Sequence, residues 1–279
     1  MKNILILMSL FSITLHAQTS LNFDKRFDEC EDKWVAFQMN KDSTYNFGFI
    51  YLDLQAGLTL DLQGTFKITR NGTFIPKRID TASIKIRLKP NRVRVAIIPG
   101  TKFEELKIKE YPEWLKYYRK DTASIERLYR WGFLYNSWDE STKALTYLER
   151  AQKINPKFKG LEFELAYAYN ALGQYDKAIS TLESAIKTSP DECYLYKELS
   201  YAQMHLGQLD KASETCKKGI SVCTEKPMKS EIAYNLTYQY YKIKDQKNFR
   251  FWADETKKWA TQGDMFMTNI IKMEAEMGK

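Results

Sequence analysis

Apolar residues follow two different patterns along this chain, and the change between them divides it into two parts. Between residues 34 and 98 apolar and polar positions tend to alternate, which is typical of half-buried β-strands. The C-terminal half instead repeats a longer pattern of small, apolar and proline positions every 34 residues. A period of that length indicates stacked supersecondary units. The sequence therefore predicts an α+β protein of two domains.

The alternating region contains two hairpin signals. Apolar runs at 47–54 and 58–62 are separated by Gln55-Ala56-Gly57, and runs at 65–69 and 73–75 are separated by Asn71-Gly72. Asn-Gly between apolar runs is a strong short-range hairpin signal. Several short strands at this spacing predict an antiparallel β-sandwich or small barrel over residues 18–110.

Residues 83–98 carry an unbalanced positive charge. A reversal at Pro90-Asn91 would pair 84, 86 and 88 with 97, 95 and 93 and leave one face apolar. The other face of this hairpin would carry five bases and no acid: Lys85, Arg87, Lys89, Arg92 and Arg94. Such a face predicts a patch for an anionic glycan or an acidic protein. The alternative is a solvated sheet face, or an edge that Lys and Arg protect against aggregation.

The 34-residue pattern can be aligned position by position. Leu128-x-x-Trp131-Gly132-x-x-Tyr135 is followed 34 residues later by Glu162-x-x-Leu165-Ala166-x-x-Tyr169, and then by Tyr196-x-x-Leu199-Ser200-x-x-Gln203. Ala144, Ala178 and Ala212 recur in the same phase, and Pro156 and Pro190 end the first two units. A looser fourth copy begins at Ala233, three residues out of phase.

This pattern resembles the tetratricopeptide repeat, a 34-residue unit of two antiparallel helices. The resemblance implies an all-α solenoid of helical hairpins over residues 122–262, with units at 122–156, 157–190, 191–227 and 228–262. It also implies a concave face, lined by the first helix of each unit, that holds a segment of another protein. The positions expected to line that groove are mostly aromatic: Tyr129, Phe133, Asn136, Phe163, Tyr167, Asn170, Lys197, Tyr201, Met204, Tyr234, Tyr238 and Tyr241. Half-buried packing between helices is the alternative for several of these rings.

Two further segments flank the repeats. Residues 111–121 form a short aromatic junction, in which Pro112 can open a helix and Asp121 or Thr122 can cap the first repeat helix. Residues 263–279 contain a stripe of Met and Ile. A solenoid leaves its last apolar face exposed, so this stripe predicts a capping helix; a docking surface is the alternative.

The N-terminus has the pattern of a secretory signal. Lys2 precedes an apolar run at 4–15 that ends at Ala17. Twelve apolar residues are too few for a membrane span, which needs about 20. We therefore expect residues 1–17 to be removed, no membrane span afterwards, and export to the periplasm or the extracellular space; an uncleaved anchor is the alternative. The formal net charge of +8 is spread over both halves and does not by itself indicate nucleic acid.

The four cysteines are Cys30, Cys193, Cys216 and Cys223. Cys193 begins the third unit and Cys223 ends it, and antiparallel helices bring those ends together. Cys193–Cys223 is therefore the plausible disulfide, with free buried thiols as the alternative. Cys216 and Cys223 lie too far apart along one helix, roughly 10 Å, to be joined.

The sequence offers little catalytic chemistry. His205 is the one imidazole outside the signal segment, which disfavours a His-rich metal site or a Ser-His-Asp triad. Phosphate-binding, zinc-protease and nucleophile-elbow motifs are absent. Glu104-Glu105 and Asp28-Glu29 are adjacent carboxylates of the kind usually found on solvated surface. We expect a non-enzymatic adaptor without cofactor that binds a protein or peptide, or, as the alternative, an anion- or glycan-binding protein with the repeats as a spacer.

Overall fold

The computed structural model describes residues 21–79, 83–119, 123–261 and 263–277. The expected signal segment at 1–17 lies outside these residues, as do Asp121 and Thr122. The chain divides into two compact units, Met1–Arg119 and Lys120–Lys279. Within the described ranges, no helix combines the length and the apolar character needed to cross a membrane.

The first unit contains one open antiparallel sheet. Its strands run in the spatial order β4-β3-β2-β1-β6, and β5 pairs with β3 beyond the end of β4. The described residues form neither a second sheet nor a closed barrel, so the sandwich or barrel expectation is replaced by an open sheet. The six strands are β1 Lys33–Ala36, β2 Tyr45–Asp53, β3 Gly57–Ile68, β4 Phe74–Arg78, β5 Ile84–Arg87 and β6 Ala96–Ile97.

Both predicted hairpins are present. At the β2–β3 turn, Asp53 Oδ1 accepts hydrogen bonds from the backbone N–H groups of Gln55 and Ala56, each at 2.8 Å. At the β3–β4 turn, the Thr69 N–H donates to the Thr73 carbonyl at 2.9 Å. The run at 58–62 and residues 65–68 of the next run belong to one continuous strand, β3, which changes partner along its outer edge from β5 to β4.

The expected basic hairpin over residues 83–98 does not form. β5 pairs with β3, whereas β6 pairs with β1 on the other side of the sheet. The pairing that forms puts Lys85 opposite Asp61 and Ile86 opposite Leu60. Opposite charges across two strands are favourable, whereas the expected hairpin would have placed bases against bases. The pairing that forms therefore avoids the opposition of Arg87 to Arg94 and of Lys89 to Arg92.

An aromatic core lies on one face of the sheet. Trp34, Phe47, Phe49, Tyr51 and Phe66 pack there against Leu106 and Leu115 from the segment that follows the sheet. That segment includes a 3-10 helix at Glu113–Tyr117, which begins after Pro112. The Trp34 indole Nε1 donates to the Lys109 carbonyl at 2.8 Å, which ties the segment to the core.

The second unit is a run of antiparallel helix pairs. Ser124 caps the first helix, because its Oγ accepts a hydrogen bond from the Arg127 N–H at 3.3 Å. The helices are α1 Ile125–Ser137, α2 Ser141–Ile154, α3 Leu161–Ala171, α4 Tyr175–Thr188, α5 Cys193–His205, α6 Leu209–Val222, α7 Lys226–Lys242, α8 Gln246–Trp259 and α9 Met265–Met277.

Small residues at the repeat positions allow the helices to approach closely. A Cβ added to Gly132 would lie 2.2 Å from Cδ2 of Leu148, so α1 and α2 could not pack as they do with any larger residue there. Ala166 and Ser200, at the same position of the next two pairs, are also buried. The first helices of successive pairs contact one another directly, α1 with α3, α3 with α5 and α5 with α7.

The last helix covers part of the final pair. α9 contacts both α7 and α8, and its Ile270 and Met273 are buried in the same core as Phe249 and Trp252 of α8. On the outer side of α9, Met265 and Ile271 remain exposed.

Candidate functional site

Four aromatic side chains occupy the equivalent position of the four first helices, and three of them are exposed. Phe133, Tyr201 and Tyr238 are 37%, 37% and 44% exposed, and Tyr167 is half-buried. Each follows the small buried residue of its helix, so it lies beside the packed face rather than within it. We call Phe133, Tyr167, Tyr201 and Tyr238 the aromatic strip. Large rings of this kind recur at protein interfaces because they bury much apolar area with few rotors.

A second row of rings lies one turn earlier. Tyr129, Phe163 and Tyr234 are half-buried. Phe163 packs edge-on against Tyr194, with ring centroids 6.1 Å apart. Tyr234 stacks on Phe266 of α9, with centroids 4.5 Å apart, so it supports the last helix.

The two asparagines expected in the groove are buried between repeats instead. Asn136 Nδ2 donates to the backbone carbonyl of Glu164 at 2.9 Å and to its carboxylate Oε2 at 2.8 Å. Asn170 makes the same two bonds to Glu198, at 3.0 and 2.9 Å. These amides join consecutive first helices and are not available to a ligand.

Three other expected groove residues are also engaged. Met204 is 5% exposed and packs in the core with α6, α7 and α8. The Lys197 ammonium forms an ion pair with Glu231 at 2.7 Å. The Tyr241 hydroxyl donates to Glu276 of α9. Of the expected groove residues, Tyr129, Phe163 and the aromatic strip remain exposed or half-buried rings, whereas the other six positions contact neighbouring helices.

Two carboxyl groups beneath the strip are poorly solvated. Burial raises the pKa of Glu164, against the lowering effect of the Asn136 hydrogen bond. Burial likewise raises the pKa of Glu198, where Asn170 and Lys197 act in the opposite direction. The Tyr167 hydroxyl also has a raised pKa, first because of burial and then because of the Asp139, Glu198 and Glu164 carboxylates. The middle of the strip is therefore aromatic with a negative surrounding.

An aromatic cluster near Tyr201 was not anticipated from the sequence. His205 stacks on Tyr175, with centroids 4.8 Å apart, and lies 4.3 Å from Tyr201. Burial, followed by the charge of Lys242, lowers the pKa of His205. Tyr194 was missed as well. It lies three residues before Lys197, so helical spacing places it on the same face.

A pocket of about 380 Å³ opens beside the second row of rings. It is lined by Tyr129, Phe163 and Tyr194, which come from three consecutive helix pairs, and its floor includes the buried Ala185 and Leu195. A Cβ on Gly160 would lie 2.6 Å from the Tyr129 hydroxyl, so the absence of a side chain there makes room for this ring.

The five bases of the expected anion patch are all exposed but do not face one another across a hairpin. Lys85 has a local role. Its ammonium lies 5.6, 5.3 and 5.1 Å from the ring centroids of Tyr51, Trp114 and Tyr118, and it donates to the Tyr118 hydroxyl at 3.1 Å. Arg87, Lys89, Arg92 and Arg94 follow it along the chain.

The cysteines fall into two classes. Cys193 and Cys223 form a disulfide, with Cα atoms 4.9 Å apart, which joins the start of α5 to the residue after α6. Cys30 and Cys216 are free and buried, and burial raises the pKa of each thiol to about 12. A thiol with so high a pKa is a poor nucleophile near neutral pH.

The described residues contain no group of three or more His, Cys, Asp or Glu side chains suited to a metal ion. Of the adjacent carboxylates, Glu29 and Glu104 are exposed as expected, whereas Asp28 and Glu105 are not. Asp28 is 4% exposed. Glu105 accepts hydrogen bonds from the Lys102 ammonium at 2.7 Å and from the Phe74 N–H at 2.6 Å, so it holds the β3–β4 hairpin against the following segment.

A family model for the tetratricopeptide repeat matches residues 141–199 and 171–221. Among solved structures, MamA residues 41 to the end from Desulfovibrio magneticus RS-1 is 17% identical, with a TM-score of 0.44, over 64% of this chain and 87% of that one. TTC0263, a thermophilic TPR protein in Thermus thermophilus, is 19% identical, with a TM-score of 0.47, over 58% and 85%. No curated protein matches the chain.

Residues 141–221 therefore contain tetratricopeptide-like repeats, and the paired helices α2 to α6 agree with that match. Proteins with these repeats bind other proteins, and the match supports a role as a protein-interaction scaffold.

Proposed function

We propose that this protein is an exported, non-enzymatic adaptor whose repeats hold a protein or peptide segment on the concave face lined by the first helices. The observation that carries the proposal is the aromatic strip. Three of its four rings are more than a third exposed, although rings of this size are ordinarily buried in helix packing.

The strip suits an extended or helical segment because its members recur once per repeat. A segment lying across α1, α3, α5 and α7 meets a ring at each helix. Only a few such contacts carry most of the free energy of binding at a protein interface. Tyr201 packs against the rings of Tyr175 and His205, with centroids 6.4 and 4.3 Å away.

Export is supported by the Cys193–Cys223 disulfide, because such bonds persist in oxidising compartments and are rare in the cytosol. The apolar run at residues 4–15 has the pattern of a secretory signal, which also supports export.

A crosslinking experiment tests the adaptor role. A benzophenone amino acid replaces Tyr201 in one variant and Phe251 in another; Phe251 is 48% exposed on the second helix α8. We expect the first variant, produced in the source cells, to crosslink to one protein at a single segment. A synthetic copy of that segment should bind about ten-fold more weakly to Tyr201→Ala or Tyr238→Ala than to the wild type. Equal crosslinking at both positions would reject the proposal.

The anion-binding alternative loses its structural premise. It required five bases on one face of a hairpin, and β5 and β6 instead lie in different parts of the sheet. Lys85 is in addition held by three rings of its own unit.

A further inference from the structure

The pocket lined by Tyr129, Phe163 and Tyr194 has a definite chemical character. Its walls are rings and its floor is aliphatic, so an apolar group gains free energy by entering it. Its volume of about 380 Å³ suits one large side chain of a bound segment together with part of its neighbour. Buried aromatic or aliphatic anchors of this kind commonly dominate peptide recognition.

The rim of the pocket is charged. Glu162 and Glu192 lie on it with one base, Lys159. The rim therefore carries two carboxylates against one base, and both carboxylates lie at the start of a helix, Glu162 in the first turn of α3 and Glu192 at the N-cap of α5.

Further carboxylates lie on two helices that line the pocket, α3 and α5. α3 carries Glu162 and Glu164 and no base, unlike each of the other helices in the described residues. Glu198 adds a third carboxylate on α5, whose neighbour Lys197 is engaged by Glu231. The rim of the pocket is thus acidic and aromatic, although the whole chain has a formal net charge of +8.

We propose that the pocket receives a large apolar side chain of the bound segment and that a Lys or Arg next to it lies against Glu162 and Glu192. This proposal rests on the adaptor function and specifies its partner, a basic segment with an apolar anchor. An acidic tail is disfavoured, because its carboxylates would meet Glu162 and Glu192 at close range.

Four fluorescein-labelled ten-residue peptides test the chemistry with the full mature chain. One carries Trp-Leu flanked by Lys in a Gly-Ser background. The others replace Lys by Glu, replace Trp-Leu by Gly-Ser, or contain Gly and Ser alone. Fluorescence anisotropy should show binding of the first peptide and about ten-fold weaker binding of the other three. Equal binding of the Glu peptide, or no binding of any peptide, overturns the proposal.

Matched variants locate the binding. Tyr194→Ser should weaken the Lys peptide about ten-fold, whereas Phe251→Ser, at a ring equally exposed on α8, should not. The double change Glu162→Gln and Glu192→Gln should weaken it several-fold and flatten its salt dependence. The control is the double change Glu183→Gln and Glu214→Gln, at two exposed acids on α4 and α6, which should leave binding of the Lys peptide unchanged.

The two proposals can fail separately. A native segment that requires Tyr201 and Tyr238, yet is indifferent to Tyr194→Ser and to the Glu162 and Glu192 changes, would leave the adaptor role in place and overturn the pocket assignment.

Discussion

Asn170 donates both hydrogens of its amide to Glu198 on the next first helix, one to the backbone carbonyl at 3.0 Å and one to the carboxylate at 2.9 Å. Asn136 and Glu164 have the same relationship one repeat earlier. The alignment of successive helix pairs is thus fixed by a polar contact as well as by apolar packing.

Removing this contact should weaken the array. Asn136→Ala leaves the Glu164 carboxylate buried without its donor, and we expect a loss of about 1–3 kcal/mol in the free energy of unfolding. Urea denaturation followed by circular dichroism measures the change. Asn235→Ala is the control, because Asn235 lies on α7 and is half-buried without such a contact. Equal losses in both variants would contradict the assigned role.

The raised pKa of Glu164 predicts a pH effect on stability. The folded state holds this proton more tightly than the unfolded chain, in which the pKa is about 4.3. Ionised Glu164 therefore costs stability near pH 7.5, and the cost disappears as pH falls through the raised pKa.

Glu164→Gln keeps an acceptor for Asn136 and removes the charge. We expect this variant to be more stable than the wild type at pH 7.5 and the advantage to shrink towards pH 5. Urea midpoints at three pH values test it, with Glu214→Gln as the exposed control. An advantage that grows on acidification would refute the sign of the effect.

The inter-helix turns of different repeats differ in backbone strain. Gly173 has φ +70° and Lys244 has φ +57° at equivalent turns, and only glycine adopts this region without strain. Gly173→Ala should lower the free energy of unfolding by about 1 kcal/mol, and Lys244→Gly should raise it by a few tenths to about 1 kcal/mol. Thermal denaturation of the two variants gives the comparison. Shifts of the same sign would count against this backbone argument.

The disulfide should contribute strongly to the stability of the third helix pair. Its cysteines are 30 residues apart, and closing a loop of that length stabilises the folded state by roughly 3–4 kcal/mol. Cys193→Ser with Cys223→Ser should lose that amount in urea denaturation.

Alkylation under denaturing, non-reducing conditions provides an independent count. Mass spectrometry should find two reactive thiols, those of Cys30 and Cys216. Four would show that the bond is absent.

The repeat half was accessible from the sequence because its constraints are local and periodic. Gly132 must be small since Leu148 packs on it, and the same requirement returns 34 residues later at Ala166. Strand pairing in the other half is not local. Residues 84–87 alternate correctly for a strand, yet nothing in that alternation shows that their partner is β3 rather than the nearer β6.

The groove positions show a similar division. Spacing identified the face that carries Phe133, Tyr201 and Tyr238, but it could not separate ligand-facing groups from groups used between helices. From the sequence, Asn136 is expected to be a surface amide, because its hydrogen bond to the buried Glu164 is a contact between two helices that spacing does not show. Tyr241 is likewise expected to line the groove, but its hydroxyl donates to Glu276 of α9.

Helix α9 also restricts how this array could lengthen during evolution or by engineering. A new unit appended after Trp259 would have to displace Ile270 and Met273 from their core. Tyr234 and Tyr241 would then lose their contacts with α9. Growth is unobstructed in the interior, where a tandem duplication of residues 157–190 would carry Glu164 and Asn170 with it and so bring its own connectors on both sides.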